Sequence, residues 1–557
     1  MILGIDVGGT HTDAVLLKGR RLHKKTKTRT QPGHLVSSFL DAADRLLAGE
    51  DLDAIERVTV STTLSTNAIT QNKLERVGMV VSPGPGLAPS CLPRFDNVYI
   101  LSGYMNHRGI EAAPLDQAEL KNIADDLRQK GIRRAGAVGK FSCRNPKHEM
   151  EILAAMESVT DHVSLGHRLS GQLNFPRRMA TTYVNAAVWS LHARFVQDVE
   201  AFIRDRGIGA PVYILKADGG TFSLSRSRTF PAQTILSGPA ASIMGTLNTF
   251  SAAEDAVVLD IGGTTTDIAV FADGVPLLEP LGVTLGSYRT LIRGLRTCSI
   301  GIGGDSVVTV SNRRLVIGPE RKGPAAALGG AAATPTDAMI VSGRLDLGCR
   351  EAAVAVLEPI AGTLKCSTGE AAERIFAQTC DTITTAVREV IAKVNNQPVY
   401  TIHELLEGKI VAPRLLYVVG GPAHVMAMPL GERLGCTVHV PDHAEVANAI
   451  GAALSRVTAE VTILADTEQG TLTIGEEGRQ TPISSRFTRE EAISVARNKL
   501  EEMAVDLGAD RHNLALEITE DQVFPMVRDF TTTGKNIRIK AQIKPGLLFR
   551  LEGGPSA

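Results

Sequence analysis

Hydrophobic and polar positions repeat with two periods along the chain, and together these periods predict an α/β protein. Short apolar runs that fit β-strands alternate with segments whose apolar residues recur at helical spacing. Near the N-terminus, a three-stranded meander and a following helix over residues 36–48 are predicted from MILGI, DAVLLK, RLHKKTKTR and VSSFLDAADRLLA. The apolar run VVLDI at residues 257–261 opens a second unit of this kind. Such alternation is typical of layered α/β folds.

The last hundred residues have a different pattern. VTILAD and GTLTIG predict a hairpin, and the next helix starts with a capping box from Thr488 to Glu491. The alternating segment NIRIKAQIKPG predicts a further strand. We therefore predict three domains: an N-terminal half at 1–175, a second half at 176–457 and a small α+β domain at 458–557.

The two halves share an eight-residue motif. DVGGTHTD at residues 6–13 and DIGGTTTD at residues 260–267 are identical at six of eight positions, and each lies between β runs. A single copy could be only a tight turn, because Asp and Gly favour turns. Two matching copies favour gene duplication and a shared function.

The chemistry of the motif points to phosphate and a divalent cation. Glycines at a turn leave backbone N–H groups open to an anion, and threonine hydroxyls add donors. Two aspartates at strand ends, Asp6 and Asp260, would repel phosphate unless hydrated Mg²⁺ lay between them. Two facing copies could then clamp the β- and γ-phosphates of a nucleotide. The predicted phosphate-binding residues are Gly8, Gly9, Thr10, Thr12, Gly262, Gly263, Thr264 and Thr265.

A third glycine element follows the second motif. In LLYVVGGPAHVM, a strand ends at Gly420 and Gly421, where a base or ribose could lie against bare backbone at the start of a helix. Taken alone, this loop fits a sharp turn equally well.

Composition narrows the class of protein further. The chain has 557 residues, a formal net charge of −1 and seven scattered cysteines, and its pI is about 6.9. These values provide no basic field for nucleic acid and no disulfide framework. The sequence contains no apolar run of the length that a membrane span requires. We expect a cytoplasmic protein that binds neither nucleic acid nor membrane.

The order of these loops resembles the actin, sugar-kinase and seventy-kilodalton heat-shock ATPase superfamily. Within it the chain resembles the A-type branch of the hydantoinase/oxoprolinase family, through blocks along nearly its whole length. The blocks are GIDVGGTHTDAVLL, VSTTLSTNAIT, MATTYVNAAV, ILKADGGTFS, TILSGPAASIMG, VVLDIGGTTTDIAVF, TCSIGIGGDSV, ATPTDAMIVSGRL, YVVGGPA and DFTTTGKNIRIKAQIKPG. The resemblance implies duplicated actin-like (ribonuclease H-like) halves with a nucleotide cleft between them.

The resemblance also implies a function and roles for residues. Members of the family use MgATP to activate a cyclic amide, such as a hydantoin, 5-oxoproline or a related lactam, before ring opening. Asp6 and Asp260 would be the catalytic, metal-binding residues, acting on Mg²⁺ through water, and Gly420 and Gly421 would face the adenosine. A hydantoinase B-type subunit is an expected partner, and self-association is left open. The alternatives are an ATP-switched regulator and a small-molecule kinase of the same superfamily.

Several polar residues allow two interpretations. Ser65, Thr66 and Asn67 could contact a small polar substrate or cap a helix. Asp305 stands where the family usually has glycine, so it could select a basic group or a metal. Other aspartates could close turns, cap a helix or take part in catalysis; these are Asp13, Asp267 and Asp337.

Overall fold

The first half of the chain forms two sheets and the helices that cover them. The computed structural model describes residues 1–30, 35–249, 254–396, 410–511 and 514–552. The elements of this half are β1 (Ile2–Val7), β2 (His11–Lys18), β3 (Arg21–Arg29), α1 (Leu35–Leu47), β4 (Arg57–Thr62), α2 (Leu64–Thr70), β5 (Val77–Ser82), β6 (Val98–Ile100), β7 (Tyr104–Met105), β8 (Glu111–Ala113), α3 (Gln117–Gln129), β9 (Arg134–Gly139), α4 (Lys147–Met156), β10 (His162–Leu165), α5 (Gly166–Leu169), α6 (Phe175–Ala187), α7 (Trp189–Asp205), β11 (Val212–Leu215), β12 (Thr221–Ser223), α8 (Leu224–Ser227) and α9 (Ser237–Leu247).

The predicted meander forms one side of a six-stranded sheet. The strand order is β12-β11-β4-β1-β2-β3, with β1, β2 and β3 antiparallel and β4 parallel to β1. Helices α1 and α7 cover one face through apolar residues such as Phe39 and Phe195. A second, all-parallel sheet of order β10-β9-β5-β6 is inserted after β4.

The strand pairing of the first sheet crosses the first predicted domain boundary. Strands β11 and β12 join the first sheet, with β11 parallel to β4, although the prediction placed both strands after residue 176 in the second half. Val188, with φ −101° and ψ −1°, separates helix α6 from helix α7.

The second half repeats the meander only in part. Its elements are β13 (Ala256–Ile261), β14 (Thr266–Ala272), β15 (Val275–Pro276), β16 (Thr284–Leu285), β17 (Tyr288–Arg289), β18 (Thr297–Ile300), β19 (Val308–Ser311), β20 (Arg314–Ile317), α10 (Pro335–Val341), α11 (Arg350–Leu364), α12 (Thr368–Asn395), β21 (Leu415–Val419), α13 (Ala423–Leu434), β22 (Thr437–His439) and α14 (Ala447–Leu454). The sheet order is β15-β14-β13-β21-β22, and β18 also pairs with β14. The third meander strand is thus replaced by two short strands.

Two helices join the halves. Helix α9 packs on the second sheet and α14 packs on β1 and β2 of the first. The helices touch at glycines: a Cβ on Gly245 would lie 2.0 Å from Ala447 O, and one on Gly451 would lie 1.9 Å from Ala241 O. This close approach holds the ends of β1 and β13, and the motif loops after them, on opposite sides of one cleft.

The C-terminal region is a separate α+β layer. Its elements are β23 (Glu460–Asp466), β24 (Thr471–Ile474), β25 (Arg479–Pro482), α15 (Arg489–Asp506), β26 (Leu516–Arg528) and β27 (Thr531–Ile543). The sheet order is β25-β24-β23-β27-β26, and α15 packs on it. The predicted hairpin and the Thr488–Glu491 capping box are confirmed. None of the helices in the described ranges combines the length and apolar character that crossing a membrane requires.

Candidate active site in the interdomain cleft

The two motif copies form the same turn in both halves. Gly8 N donates to His11 O at 3.0 Å, and Gly262 N donates to Thr265 O at 2.9 Å. A Cβ on Gly8 would lie 2.8 Å from His11 O, so a side chain there would displace the loop. The repeat seen in the sequence is therefore a repeat of backbone structure.

Both turns and the Gly420–Gly421 loop line one cavity of about 500 Å³. The cavity brings together ten residues that the sequence predicted, namely Asp6, Gly8, Gly9, Thr10, Asp260, Gly262, Gly263, Asp305, Gly420 and Gly421. A volume of this size lies within the range of small-molecule sites.

Three predicted phosphate ligands lie outside the lining of this cavity. The hydroxyl of Thr12 is buried and lies 2.9 Å from Thr30 Oγ1, so the structure does not support its predicted phosphate role. Thr264 and Thr265 lie in the second turn without lining the cavity. Thr265 serves that turn through its carbonyl, which accepts from Gly262 N.

The aspartates of the two halves are linked by a bridge of neutral side chains. Asn448 Nδ2 of α14 donates to Asp6 Oδ2 at 3.2 Å. Ser242 Oγ of α9 lies 2.8 Å from Asn448 Oδ1 and hydrogen-bonds Asp260 Oδ2. The sequence interpretation missed Asn448 and Ser242. Both lie in helices that bring the halves together, and no local pattern marks them as polar partners of the motif.

The environment of the aspartates suits a cation. Burial raises the pKa of Asp6, and the charge of Asp260 acts in the same direction; burial also raises the pKa of Asp260. Asp6 Oδ1 is buried without a hydrogen-bond partner among the described residues. Within those residues no three His, Cys, Asp or Glu side chains cluster to hold a metal. A Mg²⁺ ion here would therefore complete its six oxygen ligands with water and phosphate, as Mg²⁺ commonly does.

The second aspartate of each motif is held by a side chain. Lys27 Nζ of β3 lies 2.9 Å from Asp13 Oδ1, and the hydroxyl of Ser299 hydrogen-bonds Asp267. Burial raises the pKa of each carboxyl group to about 7. One predicted role of these carboxylates was to close the turns. In the structure each carboxylate instead contacts a side chain, Lys27 in the first half and Ser299 in the second.

Cations that the sequence interpretation overlooked also line the cleft. They are Lys27 and Arg29 of β3 and Arg321 of the loop after β20. The sequence did contain a sign of these cations, because basic residues occupy every second position near the end of β3, at Lys25, Lys27 and Arg29. Alternate residues of a strand share a face, so these three side chains are expected on the same side of the sheet. Two of these cations already pair with carboxylates of the lining, Lys27 with Asp13 and Arg321 with Asp305, and all three could donate to a polyphosphate.

The three residues considered for substrate contact, Ser65, Thr66 and Asn67, lie in helix α2, behind the Gly8–Gly9 turn. Asn67 Nδ2 would be 3.8 Å from a Cβ on Gly9, and Thr66 Oγ1 accepts from Leu236 N at 2.9 Å. Ser65 is buried. The helix-cap alternative is wrong for these three residues, because α2 begins after Thr63 and they lie inside it.

The remaining aspartates have clear partners. Asp305 pairs with Arg321, whose Nη2 lies 2.9 Å from Asp305 Oδ2, so its charge is already compensated. Asp337 completes a capping box with Thr334 and also accepts from Ala326 N and Ala327 N. The helix-cap alternative for Asp337 is confirmed.

The Gly420–Gly421 loop closes the cleft beside an apolar wall. Gly420 has φ +97°, and a Cβ there would lie 2.3 Å from Ile261 O and 2.9 Å from Asp260 Oδ1. The same cavity is lined by the apolar residues Pro324, Leu328, Met339, Leu345 and Leu347. A flat base could lie between bare backbone and this wall.

Comparison with known proteins agrees with this geometry. The family model described as "Hydantoinase/oxoprolinase" matches residues 178–461, and the one described as "Hydantoinase/oxoprolinase N-terminal region" matches residues 2–160. The chain belongs to the hydantoinase/oxoprolinase family. The family predicted from the motifs is therefore confirmed.

Individual relatives are distant but cover most of the chain. The alpha chain of caprolactamase from Pseudomonas jessenii is 24% identical over 499 residues, which are 82% of this chain and 70% of that protein. The fold resembles nucleotide-free acetone carboxylase with a TM-score of 0.73 at 17% identity, covering 98% of this chain and 87% of that one. It also resembles ATP-dependent caprolactamase from P. jessenii with a TM-score of 0.70 at 20% identity, covering 100% and 88%. These likenesses confirm the predicted α/β actin-like fold.

Proposed function

We propose that this protein binds MgATP in the cleft and uses it to activate the carbonyl oxygen of a cyclic amide, which then opens by hydrolysis. The observation that carries this proposal is that one cavity is lined by both glycine loops, both buried aspartates and three cations. Membership of the hydantoinase/oxoprolinase family supports the class of substrate.

The proposed position of ATP is inferred from the residues that line the cavity. The base would lie between Gly420, Gly421 and the apolar wall. The phosphates would extend from there between the two turns, with Gly262 and Gly263 on one side and Gly8, Gly9 and Thr10 on the other. Backbone N–H groups and the nearby cations would neutralise the phosphate charge, which is the main catalytic contribution in phosphoryl transfer.

Mg²⁺ would be held by Asp6 and Asp260 through water. Two buried carboxylates whose pKa is raised by burial gain from a cation that restores their ionised form. When bound, the ion would supply positive charge beside the phosphates and withdraw charge from the group being transferred. Asn448 and Ser242 would fix the two carboxylates in place for this purpose.

The proposed reaction balances with one ATP and two waters. The amide oxygen attacks the γ-phosphorus; the new O–P bond forms as the bond from the γ-phosphorus to the bridging oxygen breaks, and ADP leaves. Water then adds to the activated carbon, the C–N bond breaks, and the ring nitrogen takes up a proton. A second water hydrolyses the acyl phosphate that remains. The products are ADP, phosphate and the ring-opened compound, which is an amino acid for a lactam and an N-carbamoyl amino acid for a hydantoin.

We also propose that a separate partner chain contributes to the hydrolytic steps. The similar caprolactamase chain is named as the alpha component of its enzyme. The cleft would supply nucleotide binding and the phosphoryl transfer. We therefore expect this chain alone to bind MgATP and form ADP, and ring opening to be faster with a partner chain.

The proposal is tested by counting products. The purified protein is incubated with MgATP and, in turn, hydantoins, 5-oxoproline and lactams of different ring size, and ADP, phosphate and the ring-opened compound are measured. We expect one ring compound to produce ADP and its ring-opened product in equal amounts. Asp260→Asn should abolish this turnover, and Asp205→Asn, which changes an exposed aspartate outside the cleft lining, should not.

Other results of this assay would support a different function. A stable phosphorylated compound would identify a small-molecule kinase. Tight nucleotide binding without turnover, with every ring compound and with the partner chain present, would favour an ATP-operated switch. Ring opening at the same rate without ATP would contradict the proposal.

A further inference from the structure

Asp305 places a carboxylate on the glycine loop of the second motif. Asp305 N donates to Gly263 O at 2.6 Å, and Gly304 N donates to Gly262 O at 2.9 Å, so the 304–305 backbone is fixed along that loop. A Cβ built on Gly263 would lie 2.6 Å from Asp305 Oδ2. The carboxylate therefore covers the open face of a glycine that we assign to phosphate binding.

A carboxylate at this position conflicts with a phosphate. Two negative groups a few ångströms apart repel each other at the dielectric found near protein surfaces. Asp305 also lines the cavity and retains partial exposure, so it is not sealed away from a ligand. A role for this aspartate must therefore involve a cation.

Arg321 supplies that cation and is incompletely bound. Its Nη2 lies 2.9 Å from Asp305 Oδ2, and its Nε is buried without an acceptor among the described residues. The guanidinium also lines the cavity. Arginine binds phosphate and carboxylate oxygens through the same N–H groups, so a phosphate can replace a carboxylate as its partner.

We infer that Asp305 holds Arg321 over the second glycine loop in the nucleotide-free cleft, and that the terminal phosphate of ATP takes the place of Asp305 as the partner of Arg321. The pair then distinguishes a triphosphate from a diphosphate, because ADP has no terminal phosphate to engage the arginine. Arg321 becomes a ligand of the group that is transferred, and Asp305 becomes a residue that sets the nucleotide preference. This inference rests on the proposed function.

The inference predicts opposite effects for the two residues. Arg321→Gln should weaken binding of the non-hydrolysable analogue AMPPNP at least tenfold, and it should weaken ADP binding less than threefold. Asp305→Asn should tighten AMPPNP several-fold, since it frees the arginine and removes a like charge, and it should leave ADP within twofold. In the background of Arg321→Gln, the gain in AMPPNP affinity from Asp305→Asn should be smaller than in the unmodified protein, because only the removal of the like charge then remains.

The measurement is calorimetric titration of Mg·AMPPNP and Mg·ADP into the full-length protein and each variant. Asp381→Asn is the matched control, because it breaks an aspartate–arginine pair of similar length, to Arg433 Nε at 2.8 Å, whose residues do not line the cleft. A tighter complex in Asp305→Asn is a gain that misfolding would not produce. Thermal unfolding of each variant checks that it is folded.

Two results would overturn the inference. If both substitutions changed AMPPNP and ADP binding by the same factor, or changed neither, Arg321 would not contact the terminal phosphate. If the unmodified protein bound neither nucleotide, the proposed function would fail and this inference with it. The two failures are distinguishable, since only the second removes ADP binding from the unmodified protein.

Discussion

Removal of the Asn448 side chain tests whether the two halves cooperate in metal binding. Asn448→Ala removes the amide that donates to Asp6 Oδ2 at 3.2 Å, and it breaks the link through Ser242 to Asp260. Asp6 is 3% exposed, so water replaces the lost donor poorly. The carboxylate would then be held less firmly in the geometry that a hydrated Mg²⁺ requires.

The size of the expected loss in MgADP affinity follows from the type of hydrogen bond that the substitution removes. A hydrogen bond to a charged group contributes about 1.5–3 kcal/mol. Each 1.4 kcal/mol is a factor of about ten in an equilibrium constant, so the substitution should weaken MgADP binding roughly 10- to 100-fold. Loss of a residue that orients a metal ligand has effects of similar size in other metal sites, about 10- to 100-fold.

The assay is calorimetric titration of ADP with Mg²⁺ and with EDTA. The metal-free titration is the internal control: Asn448→Ala should weaken MgADP strongly and metal-free ADP much less. Ser242→Ala, which breaks the other end of the bridge, should act in the same direction. Equal losses with and without Mg²⁺ would refute the reasoning, because Asn448 would then contact the nucleotide and not orient the metal-binding carboxylate.

Three further predictions concern the rest of the chain. Burial raises the pKa of Glu476 from 4.5 to about 7, so stability is lost as pH rises through that interval; Glu476→Gln should therefore raise the urea midpoint at pH 8 and change it little below about pH 4, whereas Glu477→Gln, on an exposed neighbour, should show no such gain. Gly420→Ala should destabilise the protein and weaken nucleotide binding more than tenfold, because its Cβ would meet Ile261 O; Gly421→Ala, where a Cβ meets nothing within 4 Å, should leave the urea midpoint unchanged. Asp337→Ala should lower the unfolding free energy by about 3 kcal/mol in urea titrations, because buried donors lose their acceptor; an unchanged midpoint would contradict the capping role.

The sequence was most informative where a function is confined to a short segment. Asp6 and the glycines after it lie on one turn, so one motif specifies the strand end, the bare backbone and the carboxylate together. The same holds for Asp337, whose capping box spans four residues. These features are built from hydrogen bonds between residues that are close together in the sequence. A short sequence motif is therefore enough to predict them.

The remaining features depend on contacts between distant segments. Asn448 meets Asp6 only because α14 packs on the first sheet, and β11 joins that sheet only through its pairing with β4. The predicted phosphate role of Thr12 is unsupported for a related reason. Every residue of β2 from Thr12 to Leu17 is buried, so the sequence of this strand has no alternation that would show which side chains face the cleft. Arg321 belongs to a loop without periodicity.

The central claim is that the two motif copies form one MgATP site, and a crystal structure with AMPPNP and Mn²⁺ tests it most directly. Anomalous scattering locates the metal independently of the nucleotide. We predict a triphosphate between the two glycine loops, adenosine against Gly420 and Gly421, and Mn²⁺ beside the carboxylates of Asp6 and Asp260 with water between them. Nucleotide bound outside the cleft, or a metal held by other side chains, would contradict the account.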